Sequence, residues 1–232
     1  MEQIMAFSNA DIENFERLVR ARRSVRGFLD KAVPQDLIQR IFETARWSPS
    51  GTNVQPWHIL VASGGTRNRL RDGFLERVQR GDPIRTDHVP DGKTGDPWRE
   101  RKRGCARALY DAMNIEWNDR DSRDDAYRRN YALFDAPHVA FFGIHEIFGP
   151  QSIADVGMFT QTLMLAMTAH GVACCAQGTM RNYPDFVRDV FGVGPEIKIL
   201  YGISFGYEDT TVPANTTRTT RAPLTETVHF MD

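Results

Sequence analysis

The chain has 232 residues, 41% of them hydrophobic and 25% charged, a globular mixture long enough to bury a sizeable core. Its 29 basic and 30 acidic side chains leave a formal charge of −1, which gives no electrostatic footprint for nucleic acid or an anionic membrane surface. Three cysteines (Cys105, Cys174 and Cys175) without a C-x-x-C, and histidines scattered singly, argue against a disulfide framework and against a structural zinc site.

The N-terminus shows no basic patch followed by an apolar core. The longest apolar stretch, Phe159 to Val172, is interrupted by Thr, Gln and His and is too short to span a bilayer. A cytoplasmic protein with no membrane contact is the expectation.

In chain order, Asp11 to Arg23 reads as an amphipathic helix with Ile12, Phe15, Leu18 and Val19 on one face. Pro34 opens a second helix with Leu37, Ile38, Ile41, Phe42 and Ala45 as its stripe, and Ser48-Pro49-Ser50-Gly51 stops it. Trp57 to Ala62 suits a buried strand, and Thr66 to Arg80 a further helix. From Gly81 to Pro97 the pattern dissolves into Gly, Pro and Asp. Trp98 to Arg129 is then highly charged but helix-compatible, so residues 81–130 form an excursion, either a lid over a site or a solvated helical insertion.

His138 to Ile144 is a second strand. Ser152 to His170 is apolar around most of its circumference, as a helix in a core or a subunit interface would be. Val172 to Ala176 is a third strand, Tyr183 to Phe191 a short helix and Ile197 to Tyr207 a fourth strand before an extended tail. Alternating helices and strands without a repeat predict one α/β or α+β sandwich domain.

Two clusters carry chemistry. Arg22, Arg23, Ser24 and Arg26 offer fork-shaped donors matched to a phosphate, although arginine in the last turn of a helix also complements its dipole. In Ser48-Pro49-Ser50-Gly51-Thr52-Asn53-Val54-Gln55-Pro56-Trp57, small residues let backbone approach a flat ligand, and Asn53 and Gln55 carry amides that donate and accept. An ordinary helix-to-strand loop would read the same way. Trp57, His58 and Trp117 could line a pocket or belong to the core.

Arg-Arg-Ser-x-Arg, then a helix, then Pro-Ser-Gly-x-Asn-x-Gln-Pro-Trp resembles the nitroreductase family. So do Ala176-Gln177-Gly178-Thr179-Met180 and Asn215-x-x-Arg218-Thr219-x-Arg221-Ala222-Pro223-Leu224-x-Glu226. The resemblance spans nearly the whole chain, and the excursion is similar to that of nitrobenzoate and related nitroaromatic reductases. It implies an α+β sandwich with a mainly antiparallel sheet flanked by helices, forming an intertwined homodimer with two FMN sites at its interface. It implies hydride transfer from NAD(P)H to a small, electron-poor, aromatic acceptor by a ping-pong route, a nitro group ending as the hydroxylamine.

By the same resemblance Arg22, Arg23 and Ser24 hold the FMN phosphate and ribityl chain, and Arg26 stands near flavin N1 and O2. Pro49, Ser50, Asn53 and Gln55 reach over from the partner subunit, Gln177 and Gly178 face the ring near N5, and Arg221, with Arg218, returns to the phosphate. A basic residue common in the family two positions before Arg221 is Thr219 here, so the division of labour between Arg218 and Arg221 stays open. No catalytic side chain is implied, because the cofactor carries the difficult step. Enone reduction, dehalogenation, flavin cleavage or flavin storage would share the same cofactor site.

Two rival motifs are weaker. Gly202-Ile-Ser204-Phe-Gly206 fits the G-x-S-x-G of serine hydrolases, but no helix follows it. Gly192-Val-Gly194-Pro lacks the third glycine of a dinucleotide fingerprint.

Overall fold

The computed structural model describes residues 7–89 and 92–231. Four strands form one antiparallel sheet in the order β1-β2-β4-β3, with β1 Trp57–Ser63, β2 His138–His145, β3 Ala173–Gln177 and β4 Ile197–Gly206. Strand β2 is central and buried on both faces. Its alternate residues serve different layers, as the two-residue period of a strand requires. Ala140, Phe142 and Ile144 pack beneath the helices α2 (Gln35–Ala45) and α6 (Pro150–Ala169). Val139 and Phe141 pack on the other side with Leu70 and Phe74 of α3 (Gly64–Arg80) and Val187 of α7 (Pro184–Phe191). The result is the α+β sandwich expected, helices on both faces of a sheet.

Helix α1 spans Asn9–Ala21 and is fixed at its start by reciprocal bonds between Ser8 and Asp11. It ends before Arg22, which corrects the placing of Arg22 and Arg23 in its last turn; the basic residue there is Arg20. Residues 22–28 are extended instead, because Ser24 bridges in parallel to Cys174 of β3 and Phe28 bridges to Glu208. None of α1 is buried: the helix packs against α6, yet Ile12, Phe15 and Val19 stay exposed. The far side of α6 is similar, with Ala154, Gly157 and Met158 exposed.

The excursion carries two helices, α4 Trp98–Ala112 and α5 Arg120–Arg128. Asn114 takes a left-handed φ of 56° between them, and Asp119 caps α5 through Ser122 N at 3.0 Å. Its two stems are fastened to the same stretch of the body. On the first stem, Arg85 N donates to Asn182 O at 3.1 Å. Buried Arg188 binds Asp87 at 2.7 Å, and Asp87 accepts Ile199 N at 2.8 Å. On the second, Asn182 Nδ2 donates to the Tyr131 hydroxyl at 2.7 Å.

His138 ties the 29–33 segment to the sheet. Its Nε2 accepts Val33 N at 2.8 Å, so the proton sits on Nδ1 and is donated to Ser63 Oγ at 2.5 Å. Burial, and then the charge of Arg67, hold its pKa below the ordinary 6.5. Acid therefore favours the unfolded chain, where the imidazole protonates freely, and stability present above that pH is lost as pH falls below about 6.5. Urea unfolding should show a lower midpoint at pH 5.5 than at pH 7.5. A His138→Ala variant should be less stable by about 3 kcal/mol, from the unpaired Val33 N–H and the lost ring, with a flatter pH slope over that window.

Candidate functional site

The two ends of the chain meet at Asn215, which is 3% exposed in the 3₁₀ turn Pro213–Thr216. Its Oδ1 accepts Arg26 N at 2.6 Å, and its Nδ2 donates to Gly27 O at 2.9 Å and to Asp209 O at 2.8 Å. Its main-chain oxygen accepts from Arg23 Nη1 at 2.9 Å and from Arg218 Nη1 at 3.0 Å. Two guanidiniums nearly two hundred residues apart thus converge on one carbonyl. The approach is close: a Cβ on Gly27 would lie 2.6 Å from the Val212 side chain, so only glycine fits where the tail crosses.

Arg23 is also paired with Glu208, so part of its fork is already engaged. Arg26 makes only a weak 3.4 Å contact with Ser24 O. Arg221 is exposed and turns back on Thr219 and Thr220, at 3.0 Å to Thr219 Oγ1. Among the described residues, Arg23 and Arg218 are therefore brought together and Arg221 is left outside. Helix α4 packs on the Pro213–Thr216 turn, and its Arg101 reaches Glu226 at 2.5 Å.

From Cys174, the bridge partner of Ser24, strand β3 runs to Gln177 and Gly178, about 13 Å away at ~3.3 Å per residue. The Gln177 side chain points into the body. Its Oε1 accepts Ser204 Oγ at 2.5 Å and its Nε2 donates to Asn130 O at 2.9 Å. Only backbone is left to present at this turn. Gly178 is exposed, and a Cβ built on it would meet nothing within 4 Å, so open space lies above it. The end of the excursion, at Asn130, borders the same turn.

The 48–56 loop is held separately by its own hydrogen bonds. Thr52, Asn53 and Gln55 take left-handed φ of 50°, 57° and 51°, a conformation costing about 1 kcal/mol or more for each side-chain-bearing residue. Residues 51–55 are exposed, and Ser50 Oγ accepts Gln55 N at 2.9 Å. The loop's fastening to another element is Gly51 N to Asp155 Oδ2 of α6, at 3.2 Å. No described hydrogen bond joins Pro49, Ser50, Asn53 or Gln55 to the arginine frame of the same chain. Trp57 is half-buried and packs against the core, its ring 4.9 Å from that of Phe159 at a tilt of 37°. Trp117 lies instead on the excursion, under Arg107 and Arg123.

Ser204 is fully buried mid-strand, and its proton goes to an amide oxygen rather than a histidine, which disposes of the hydrolase reading. Gly192 is the left-handed C-cap of α7 (φ 67°), not a phosphate turn. Burial pushes the Cys174 thiol up to about 12 and the Cys175 thiol to about 11, against the nearby charges of Arg22 and Arg26. Among the described residues no His/Cys/Asp/Glu group is placed to hold a metal. A cavity of about 440 Å³ lined by Leu75, Val78, Gln79 and Arg128 includes none of the candidate residues.

Sequence reasoning gave no role to Asn215, Glu208, Asp155, Asn182 or Asp87, because their partners are distant in the chain. The Asn215-x-x-Arg218 pattern was the one available signal.

A helix-flanked antiparallel sheet with arginines from both chain ends beside an open glycine turn defines a family, and a nitroreductase-family model matches residues 19–207, so the chain belongs to the nitroreductase family. Among relatives, the chain is 38% identical over 220 residues to nitroreductase NfnB of Mycolicibacterium smegmatis, covering 93% of this chain and 92% of that one. It is 33% identical over 224 residues to a 4-nitrobenzoate reductase of Nocardioides sp., covering 95% and 91%. The crystal structure of the FMN-dependent nitroreductase NfnB from Mycobacterium smegmatis in complex with NADPH superposes with a TM-score of 0.90 at 36% identity, covering 96% of this chain and 100% of that one.

Replacing Asn215 by Ala removes three side-chain hydrogen bonds and leaves buried backbone groups unpaired, a loss of about 3 kcal/mol or more. Equilibrium denaturation should show it. A fluorophosphonate probe should leave Ser204 unlabelled.

Proposed function

We propose that the chain is an FMN-dependent oxidoreductase that reduces nitroaromatic acceptors at the expense of NAD(P)H, and that it works as a homodimer in the cytoplasm. The observation that carries this reading is the convergence of Arg23 and Arg218 on the Asn215 carbonyl, one strand length from the open Gly178 turn. That arrangement fits a ligand with a phosphate at one end and a flat ring at the other. When bound, FMN supplies the two-electron relay between nicotinamide and acceptor, chemistry no side chain here offers.

In this proposal Arg22, Arg23 and Ser24 receive the phosphate and ribityl chain, with Arg218 adding charge from the tail; Arg221 would have to leave its threonine contacts to join them. Arg26 supplies a fixed cation that favours an electron-rich ring. Gln177, locked by Ser204 and Asn130, holds the Gly178 backbone still beneath the ring. The exposed amides of Asn53 and Gln55 serve the site of the partner subunit, in keeping with the lack of any described hydrogen bond from them to the arginines of their own chain. The exposed apolar side chains of α1 and of the far side of α6 supply the interface that such sharing needs. No helix among the described residues is long and apolar enough to cross a membrane.

Purified protein should be yellow, with flavin absorption bands, and should consume two equivalents of NAD(P)H for each nitrobenzoate converted to the hydroxylamine. A preparation that neither retains nor takes up FMN would end the proposal. One that binds FMN but consumes no NAD(P)H across a panel of nitroarenes, enones and haloarenes would be a flavin-binding protein instead. Arg26→Ala should weaken FMN binding about tenfold or more, read by flavin fluorescence, consistent with the loss of a charged contact.

A further inference from the structure

Helix α6 carries a single charged residue in its twenty positions, Asp155, and that side chain is only 5% exposed. A buried carboxylate in apolar surroundings is costly unless it is hydrogen-bonded. Its described hydrogen bond is the one from Gly51 N, at 3.2 Å. Gln151, one turn earlier on the same helix, flanks the contact: its Nε2 lies 3.7 Å from where a Cβ on Gly51 would stand.

What this bond holds is the strained part of the chain. Thr52, Asn53 and Gln55 are left-handed without being glycine, and all three are exposed, so packing does not impose their conformation. The other described hydrogen bonds of the loop are internal: Asn53 N to Ser50 O, Val54 N to Gly51 O, Thr52 Oγ1 to Gly51 O, Gln55 N to Ser50 Oγ and Gln55 Nε2 to Asn53 O. They can fix the shape of a turn but not its place relative to the body. Asp155 alone among the described hydrogen bonds ties residues 50–55 to another element.

We propose that Asp155 is a positioning residue for the flavin. By accepting the Gly51 N–H it pins the strained 50–55 loop to α6, so that Asn53 and Gln55 are presented in one geometry. This rests on the loop's assignment to the flavin in the proposed function. An acceptor at this position is what matters, so Asp155→Asn keeps the function and Asp155→Ala loses it.

The test uses the full chain loaded with FMN. Flavin fluorescence gives the FMN dissociation constant, hydrogen exchange gives the protection of residues 50–55, and sedimentation gives the assembly state. Asp155→Ala should weaken FMN binding about tenfold or more and raise exchange in the loop, whereas Asp155→Asn should stay within about threefold of the unsubstituted protein. Thr52→Gly relieves the left-handed strain and should recover part of the Asp155→Ala loss, a non-additivity expected only if the two act on one loop. Should Asp155→Ala fail to fold, Gly51→Pro deletes the donor at the other end of the same bond and should loosen the loop alike.

Gln55→Ala separates this idea from the one beneath it. If Gln55→Ala weakens FMN binding while Asp155→Ala and Gly51→Pro bind as tightly as the unsubstituted protein, the role of Asp155 is overturned and the loop's role stands. If Gln55→Ala also changes nothing, the loop assignment fails and the positioning role falls with it. Equal losses in Asp155→Asn and Asp155→Ala would likewise overturn the claim that acceptance, rather than packing, is what Asp155 provides.

Discussion

One buried amide holds the two ends of this chain in register. Asn215 takes a main-chain N–H and a main-chain carbonyl from the 22–28 segment and a carbonyl from the tail, while its own carbonyl collects two guanidiniums. Like charges brought this close repel, and a shared acceptor with Glu208 alongside offsets the repulsion. Without that junction the arginines would sit on two independent mobile termini. With it they form a fixed cationic frame against β3, and the strand leads from the frame to the glycine turn.

The second constraint is the way the excursion is mounted. Both stems, near Arg85–Asp87 and near Asn130–Tyr131, fasten on residues 177–199, the stretch that includes the Gly178 turn. The second stem continues into Leu133, Phe134 and Asp135, all left-handed, where Leu133 and Phe134 are buried and packing offsets the strain. Helix α4 meanwhile rests on the Pro213–Thr216 turn. The insertion is thus braced at both ends of the candidate site, a mounting better suited to shaping a pocket than to trailing in solvent.

Much of this was readable in the residues themselves. The period of Leu37, Ile38, Ile41, Phe42 and Ala45 located α2, the apolar run His138 to Ile144 gave a strand, and the apolar girth of Ser152 to His170 marked α6 as a helix of a core or a subunit interface. What escaped were features set by contacts across the fold. The end of α1 was misplaced because Arg22 and Arg23 suit a helix locally, yet Ser24 is drawn into a bridge with Cys174. The charged run Trp98 to Arg129 reads as helix-compatible, but nothing in it marks the division at the left-handed Asn114. In the site, the arginines were visible as types, but their division was not: the competition of Glu208 for Arg23, and the turning away of Arg221, depend on residues that local sequence cannot bring together. Nor does any propensity place Thr52 and Gln55 at positive φ; only the assembled loop does.

Cys174 and Cys175 are neighbours in the chain, but their side chains point to opposite layers, as successive strand residues do. One belongs to the layer under α2 and α6, the other to the small cluster around Val25, Phe28 and Phe134. With both thiols kept protonated at neutral pH, neither offers a ready nucleophile to oxidants, and their geometry keeps them from closing on each other. Alkylation or oxidation would begin at the surface, at exposed Cys105 on α4.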